Sequence, residues 1–282
     1  MQFDSNLAWN EAVARVRANR DVLMALAGVF FLLPALLSSV FLADIQQQMM
    51  ELAQDSEGLE ALISANLGTI LAFGIGGMLV QFVGYLAATV ILGVGGRPSV
   101  GEAISVALRA VPTLIGATLL YIVGITLVSF VLGLLVALGS LVAGTAGASL
   151  GGVVMLIGLF GVSIWSAVRL SLLVPVIVRE GLANPVAAMR RSWELTGGHT
   201  PRLLGFYALL MLGYLAISFM VSLLLITPLS LVFGAGAVTN FLAGVVAGLI
   251  GAVSNVLLVA VLVRVHAQLS RATPDGQASL FD

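Results

Sequence analysis

The sequence predicts an all-α polytopic membrane protein, with six transmembrane helices, three cytoplasmic interfacial amphipathic helices and a threefold internal repeat. Three observations carry that expectation. Apolar residues make up 60% of the 282-residue chain, charged residues only 9%, and the mean hydropathy is +1.14. Several apolar runs exceed the roughly 20 residues that cross a hydrocarbon core of about 30 Å. The basic residues, all of them arginine, cluster in alternate connections between those runs.

The first span, about Val22–Ala43, follows Arg15, Arg17 and Arg20. Its apolar core is long and no small-x-small site follows it, so it reads as a retained anchor and not as a cleaved signal. The others are about Leu62–Val94, Val111–Val142, Gly151–Val178, Leu203–Leu229 and Val238–His266. Spans of this length tilt or extend beyond the bilayer. The 32 glycines suit close helix packing in lipid, and the lack of cysteine excludes disulfides, thiolate chemistry and most zinc sites.

Orientation follows from the arginines. Arg15, Arg17 and Arg20 precede the first span, and Arg97 and Arg109 lie between the second and third. Arg179, Arg190, Arg191 and Arg202 lie between the fourth and fifth, and Arg264 and Arg271 close the chain. The opposite connections are "ADIQQQMMELAQDSEGLEAL", acidic and free of arginine, and two short uncharged stretches. The positive-inside rule places both termini in the cytoplasm, in a bacterial inner membrane.

Three cytoplasmic segments resemble one another: "SNLAWNEAVARVRANRD", "PSVGEAISVALRAVP" and "NPVAAMRRSWELTGGH". Each opens on a capping residue, Asn6 or Ser5, then Ser99, then Asn184. Ser99 with Glu102 spells a capping box, and Asn184 precedes a proline. Apolar residues then recur at helical spacing: Trp9, Val13, Val16; Val100, Ile104, Ala107; Leu182, Val186, Met189, Trp193. Short helices of this type lie in the interface with arginines at head-group level. The pattern divides residues 1–270, a single membrane domain, into repeats of about 6–98, 99–183 and 184–270. Residues 271–282 form a cytoplasmic tail expected to be disordered.

The stretch "RLSLLVPVIVREGLANPVAAMRRSWELTGGHTPRLLG" has an arginine late in a span, a Pro-x-Ile-Val step, a Glu-Gly pair and an Ala-x-x-x-Ser-Trp-x-Leu-Thr-x-Gly helix before a new span. It resembles the membrane domain of glycerophosphoryl diester phosphodiesterases and its stand-alone relatives. The resemblance covers about Arg169–Gly205; elsewhere only hydropathy and length agree. In that family the domain can precede a soluble phosphodiesterase barrel. The present sequence continues only twelve residues past Ser270, and its histidines are His199 and His266. A metal-dependent phosphodiesterase needs clustered carboxylates and histidines, so no enzymatic activity, metal site or cofactor is expected.

Arg169, late in the fourth span and about nine residues before Val178, would be costly in hydrocarbon and calls for a partner: Glu180 or Glu194, or a lipid phosphate. Arg190, Arg191 and Trp193 complete the expected lipid-contact set. Gln81, Tyr85 and Asn255 form a polar intramembrane set on the second spans of their repeats; interhelical hydrogen bonding explains such residues equally well. The glycine-rich pieces lack the lysine and strand context of a phosphate loop and read as packing. The expected partners are membrane lipids, anionic phospholipid on the cytoplasmic side, and not nucleic acid. Two functions fit: a non-enzymatic membrane protein that binds lipids or partners and contributes to envelope or lipid homeostasis, or a small transporter component for a lipid or amphiphile. No span carries a carboxylate, which favours the first.

Overall fold

The computed structural model describes residues 3–93, 98–234 and 236–271, and every regular element among them is a helix. In order these are α1 (Ser5–Ala18), α2 (Arg20–Ala27), a π-helical turn (Gly28–Leu32), α3 (Leu33–Phe41), α4 (Ala43–Glu51), α5 (Ser56–Leu92) and α6 (Val100–Leu170). Then follow α7 (Leu173–Arg179), α8 (Pro185–Thr196), α9 (Thr200–Val221), a second π turn (Ser222–Ile226), α10 (Thr227–Phe233) and α11 (Ala237–Arg271). Arg97 and the tail beyond Arg271 lie outside the described residues.

Among the described residues five helical stretches are long and apolar enough to cross a membrane: Arg20–Phe41, Ser56–Leu92, Val100–Arg179, Thr200–Phe233 and Val238–Arg271. Their outward faces carry large apolar side chains such as Phe130, Phe160, Leu141 and Val142, too many for a water-facing surface. The protein is thus an all-helical chain of membrane-protein type. The expected spans Val111–Val142 and Gly151–Val178 both fall within Val100–Arg179.

That stretch is not straight. Gly144 has φ +60° and ψ −140°, a left-handed backbone that glycine adopts at no steric cost. On either side of it the two arms, 112–143 and 145–170, fold against each other. Tyr121 and Ser166 share a hydrogen bond of 3.2 Å, and a Cβ on Gly151 would lie 3.1 Å from Val136 Cγ1. The partners run in opposite order along the arms, so α6 is an antiparallel helical hairpin.

Proline shapes the other long helices. The amide of Leu33, just before Pro34, reaches back to the Gly28 carbonyl, and that of Thr227, just before Pro228, reaches the Ser222 carbonyl. Each is an i to i−5 bond, the π-helical widening that makes room for a ring lacking a donor. The same device thus occurs in the first and third repeats expected from sequence.

The chain forms two compact units. One comprises Ser5–Val111 and Ala208–Arg264. In it α3 and the first π turn lie against α5 and α11. A Cβ on Gly84 would stand 2.6 Å from Phe30 Cβ, so the bare backbone permits that approach. The other comprises Pro112–Tyr207 with the described parts of Met1–Asp4 and Val265–Asp282. There Phe3 packs on Phe206 with ring centroids 5.7 Å apart, and the Asp4 amide donates to Gln268 Oε1 at 3.2 Å.

The three segments that resemble one another in sequence differ in form. The third is a separate helix, α8, capped by Asn184 Oδ1, which accepts from the Val186 and Ala187 amides at 2.9 and 3.3 Å. At the second, Ser99 and Glu102 form their reciprocal capping box, at 2.8 and 3.2 Å. That segment is the opening of α6, continuous through Pro112, and not a helix of its own. The first is α1, which already begins at Ser5, so neither Ser5 nor Asn6 stands outside it as a cap. The buried residues coincide with the expected stripes only at Ala107. They are Ala8 and Ala12, then Ala103 and Ala107, then Ala188, Ser192, Leu195 and Thr196, while Trp9, Val100 and Val186 are exposed. The connection expected as the external acidic loop contains α4, and Asp55 caps α5 by accepting from the Gly58 amide at 3.1 Å.

Candidate functional site

The site lies where the arm 145–170 ends. Pro175 offers no amide hydrogen, and its ring crowds the carbonyl of Ser171, four residues earlier. The helix accordingly stops at Leu170 and resumes as α7 at Leu173. A stopped helix leaves carbonyls without donors. The Arg169 carbonyl accepts from Ser192 Oγ at 2.9 Å, with Thr196 Oγ1 at 3.1 Å. Thr196 has a single hydrogen and a nearer acceptor in the Ser192 carbonyl at 2.9 Å, so Ser192 is the principal donor. Both side chains are fully buried, one turn apart on α8. Ser171, at the break, donates to the Val168 carbonyl at 2.8 Å and lies 3.1 Å from the Tyr207 hydroxyl.

The Arg169 side chain meets two indoles. Its guanidinium carbon is 4.6 Å from the Trp193 ring centroid and 5.7 Å from that of Trp165. The two rings stand edge to face, 4.7 Å apart at 88°. Such contacts contribute about 0.5–1 kcal/mol in exposed settings and about 2 kcal/mol when desolvated. Nη1 is a long 3.4 Å from Thr200 Oγ1, and Nε is sealed in without a partner.

The expected ion pair of Arg169 with Glu180 or Glu194 does not form. Glu194 pairs with Arg190 at 2.8 Å, its neighbour one turn back on α8. Glu180 lies between Arg191, at 2.9 Å, and His266 Nε2, at 3.0 Å. Burial alone raises the Glu180 carboxyl, but the hydrogen bonds from His266 and Arg191 outweigh it and hold it below the ordinary carboxylate range. Among the described residues no carboxylate forms an ion pair with Arg169. Its charge is met by the two aromatic faces and the long contact to Thr200.

The expected lipid-contact set therefore separates. Trp193 joins Arg169, Arg190 is exposed beside Glu194, and Arg191 belongs to the Glu180 cluster. Sequence reading passed over Trp165, Ser192, Thr196, Thr200 and the inward role of His266. Trp165 was available as the residue one turn before Arg169. Ser192 and Thr196 stood inside the quoted Ser-Trp-x-Leu-Thr motif. His266 carries no local signal, because its partner is 86 positions away.

Of the polar intramembrane set, two members meet. The Tyr85 hydroxyl donates to Asn255 Oδ1 at 2.8 Å, and Phe31 packs on the Tyr85 ring at 5.0 Å. Gln81, a turn earlier and half-buried, joins neither side chain. Tyr85, Arg169 and Asn255 lie 84 and 86 residues apart, close to the 85 that separate the caps Ser99 and Asn184. Chemically, the Arg169 cradle offers donors on a planar cation with no fixed counter-charge, an arrangement suited to oxyanions such as phosphate or carboxylate. No family model, no curated protein and no solved structure matches this chain.

Proposed function

We propose that this is a bacterial inner-membrane protein of six crossings, both termini cytoplasmic, that binds anionic phospholipid at its cytoplasmic boundary and contributes to envelope or lipid homeostasis without catalysing a reaction. The observation that carries the reading is Arg169: a permanent cation held against Trp193 and Trp165 and in no ion pair with a carboxylate among the described residues. A guanidinium in a membrane segment is expensive unless something polar meets it, and lipid phosphate is the abundant anion at that depth. Counting six crossings treats the two arms about Gly144 as one outward and one inward passage. The asymmetry of the arginines supplies the orientation. The threefold repeat, and kinship with the stand-alone relatives of the glycerophosphoryl diester phosphodiesterase membrane domain, belong to the same reading. It is supported by the recurring π turn before Pro34 and Pro228 and by the buried Ala188, Ser192, Leu195 and Thr196 of the motif.

The test is lipid content after purification in mild detergent. Arg169→Gln keeps a planar polar group near the indoles, and it should lower the anionic phospholipid retained per protein while the protein still melts cooperatively. Retention equal to wild type would refute the reading. Reporter fusions within 46–60 should score as external and fusions after Arg271 as internal; the reverse would overturn the orientation.

A further inference from the structure

The face of α6 that carries Arg169 has a second feature. Gly161, Trp165 and Arg169 succeed one another at four-residue steps, with Ile157 one step earlier, so the four stand in file along one oblique ridge that advances about 40° round the helix per step. Trp165 is 49% exposed and Ile157 69%, and a Cβ placed on Gly161 would meet nothing within 4 Å. Between two large side chains there is therefore an open notch one residue wide. From Ile157 to Arg169 the helix rises about 18 Å, slightly more than half of a hydrocarbon core of about 30 Å. The file spans one leaflet, with its only charge at the cytoplasmic end.

We propose that this file seats a single diacyl phospholipid of anionic head group, its phosphate on the Arg169 guanidinium and one acyl chain in the Gly161 notch between Trp165 and Ile157. The proposal rests on the lipid-binding reading above and adds the seat of the chain. Nε of Arg169 is sealed and Nη1 is directed to Thr200, so the phosphate is met end-on through Nη2. The uncompensated charge selects the phosphate. The notch selects a chain attached to it, which a soluble phosphate compound lacks. The occupant is accordingly a membrane lipid entering from the side.

Native mass spectrometry of the detergent-solubilised full chain tests this, with dioleoyl phosphatidylglycerol, dihexanoyl phosphatidylglycerol and inorganic phosphate as probes. Wild type should bind one dioleoyl lipid saturably. Gly161→Leu fits without clash, so it should melt as wild type does. It should weaken the dioleoyl lipid about fivefold, the worth of a handful of close carbon contacts, and leave the dihexanoyl lipid unchanged. Arg169→Gln should weaken both lipids about tenfold or more, as loss of a charge-assisted hydrogen bond requires. If Arg169→Gln melts early, Arg169→Lys serves, and it should recover part of the affinity for both lipids. Undiminished dioleoyl binding by Gly161→Leu would overturn the acyl seat and leave the Arg169 lipid reading standing. Inorganic phosphate competing as well as the dioleoyl lipid would replace the lipid by a soluble phosphate compound. Binding that never saturates and ignores both substitutions would mean annular lipid only, and both readings would fall together.

Discussion

Two double-mutant cycles separate the observed wiring of the Glu180 cluster from the pairing that the sequence suggested. In the first, Glu180→Ala and Arg191→Ala remove the two ends of a 2.9 Å pair whose side chains are each only 24% exposed. An exposed pair contributes about 0–1 kcal/mol, and a hydrogen bond to a charged group about 1.5–3 kcal/mol. This pair lies between those settings. Glu180→Ala also deprives His266 Nε2 of its carboxylate, so its total cost should be about 2–3 kcal/mol. The coupling with Arg191→Ala should be about 1–2 kcal/mol, within the range for residues in direct contact. In the second cycle, Arg169→Ala is combined with Glu180→Ala. The two side chains share no partner, so their effects should add to within about 0.5 kcal/mol. Unfolding titrations in mixed micelles, read by tryptophan fluorescence with far-ultraviolet dichroism as a check, measure all the variants. Coupling above about 1 kcal/mol in the second cycle, or none in the first, would refute the assignment of Glu180 to Arg191.

Three further outcomes follow from single contacts. Glu180 is held below the ordinary value of about 4.3, so its stabilising contribution is intact above that pH and is lost as pH falls through the lower, folded value. The melting temperature should hold from neutrality down to about pH 5 and fall in more acid solution, and Glu180→Gln should make that acid fall shallower. Gly144→Ala places a Cβ on a backbone with φ +60° and should cost about 1–3 kcal/mol in the same titrations; a neutral result would contradict the turn. Ser192→Ala strands the buried Arg169 carbonyl, apart from its weaker Thr196 contact, and should cost about 1–3 kcal/mol; Ser192→Thr, if it repacks, should restore part of it.

What could be read in advance was what is local. The caps at Asn184 and the Ser99–Glu102 box depend on residues two or three positions apart, and both form. Apolar runs mark helices that can cross a membrane because backbone groups there must be satisfied within the segment. The inward faces were misread for a physical reason. In water a large apolar side chain turns inward; beside lipid both sides of a helix can be apolar, and a small side chain is what lets a helix approach its neighbour closely. Hence Ala8, Ala12, Ala103, Ala107, Ala188 and Ser192 are buried while Trp9, Val100 and Val186 look outward. The third and fourth spans were seen as separate runs, but that they fold on each other about Gly144 depends on one backbone angle. The partner of Arg169 was unreadable because its carboxylate candidates were already committed, Glu194 to a neighbour on its own helix and Glu180 to residues from two others.

The contiguity of the Ser-Trp-x-Leu-Thr motif now has a cause. Pro175 breaks the helix and frees the carbonyl of Arg169, while the side chain of the same residue carries a charge that no acid among the described residues pairs with. Two unmet needs thus sit on one residue, one at its backbone and one at its guanidinium. A helix packed across the break can meet both only if it presents a hydroxyl and an aromatic face side by side. Ser192 and Trp193 are adjacent, and Thr196 adds a second hydroxyl one turn on. The docking of α8 and the tolerance of Arg169 are therefore one interaction. Substitutions at Ser192 and Trp193 should lower stability less in an Arg169→Ala background than in wild type only to the extent that they act through the side chain. Trp193→Ala, which touches the guanidinium, should show that dependence, and Ser192→Ala, which touches the carbonyl, should not. An equal dependence for both would mean that α8 is held by something other than these contacts.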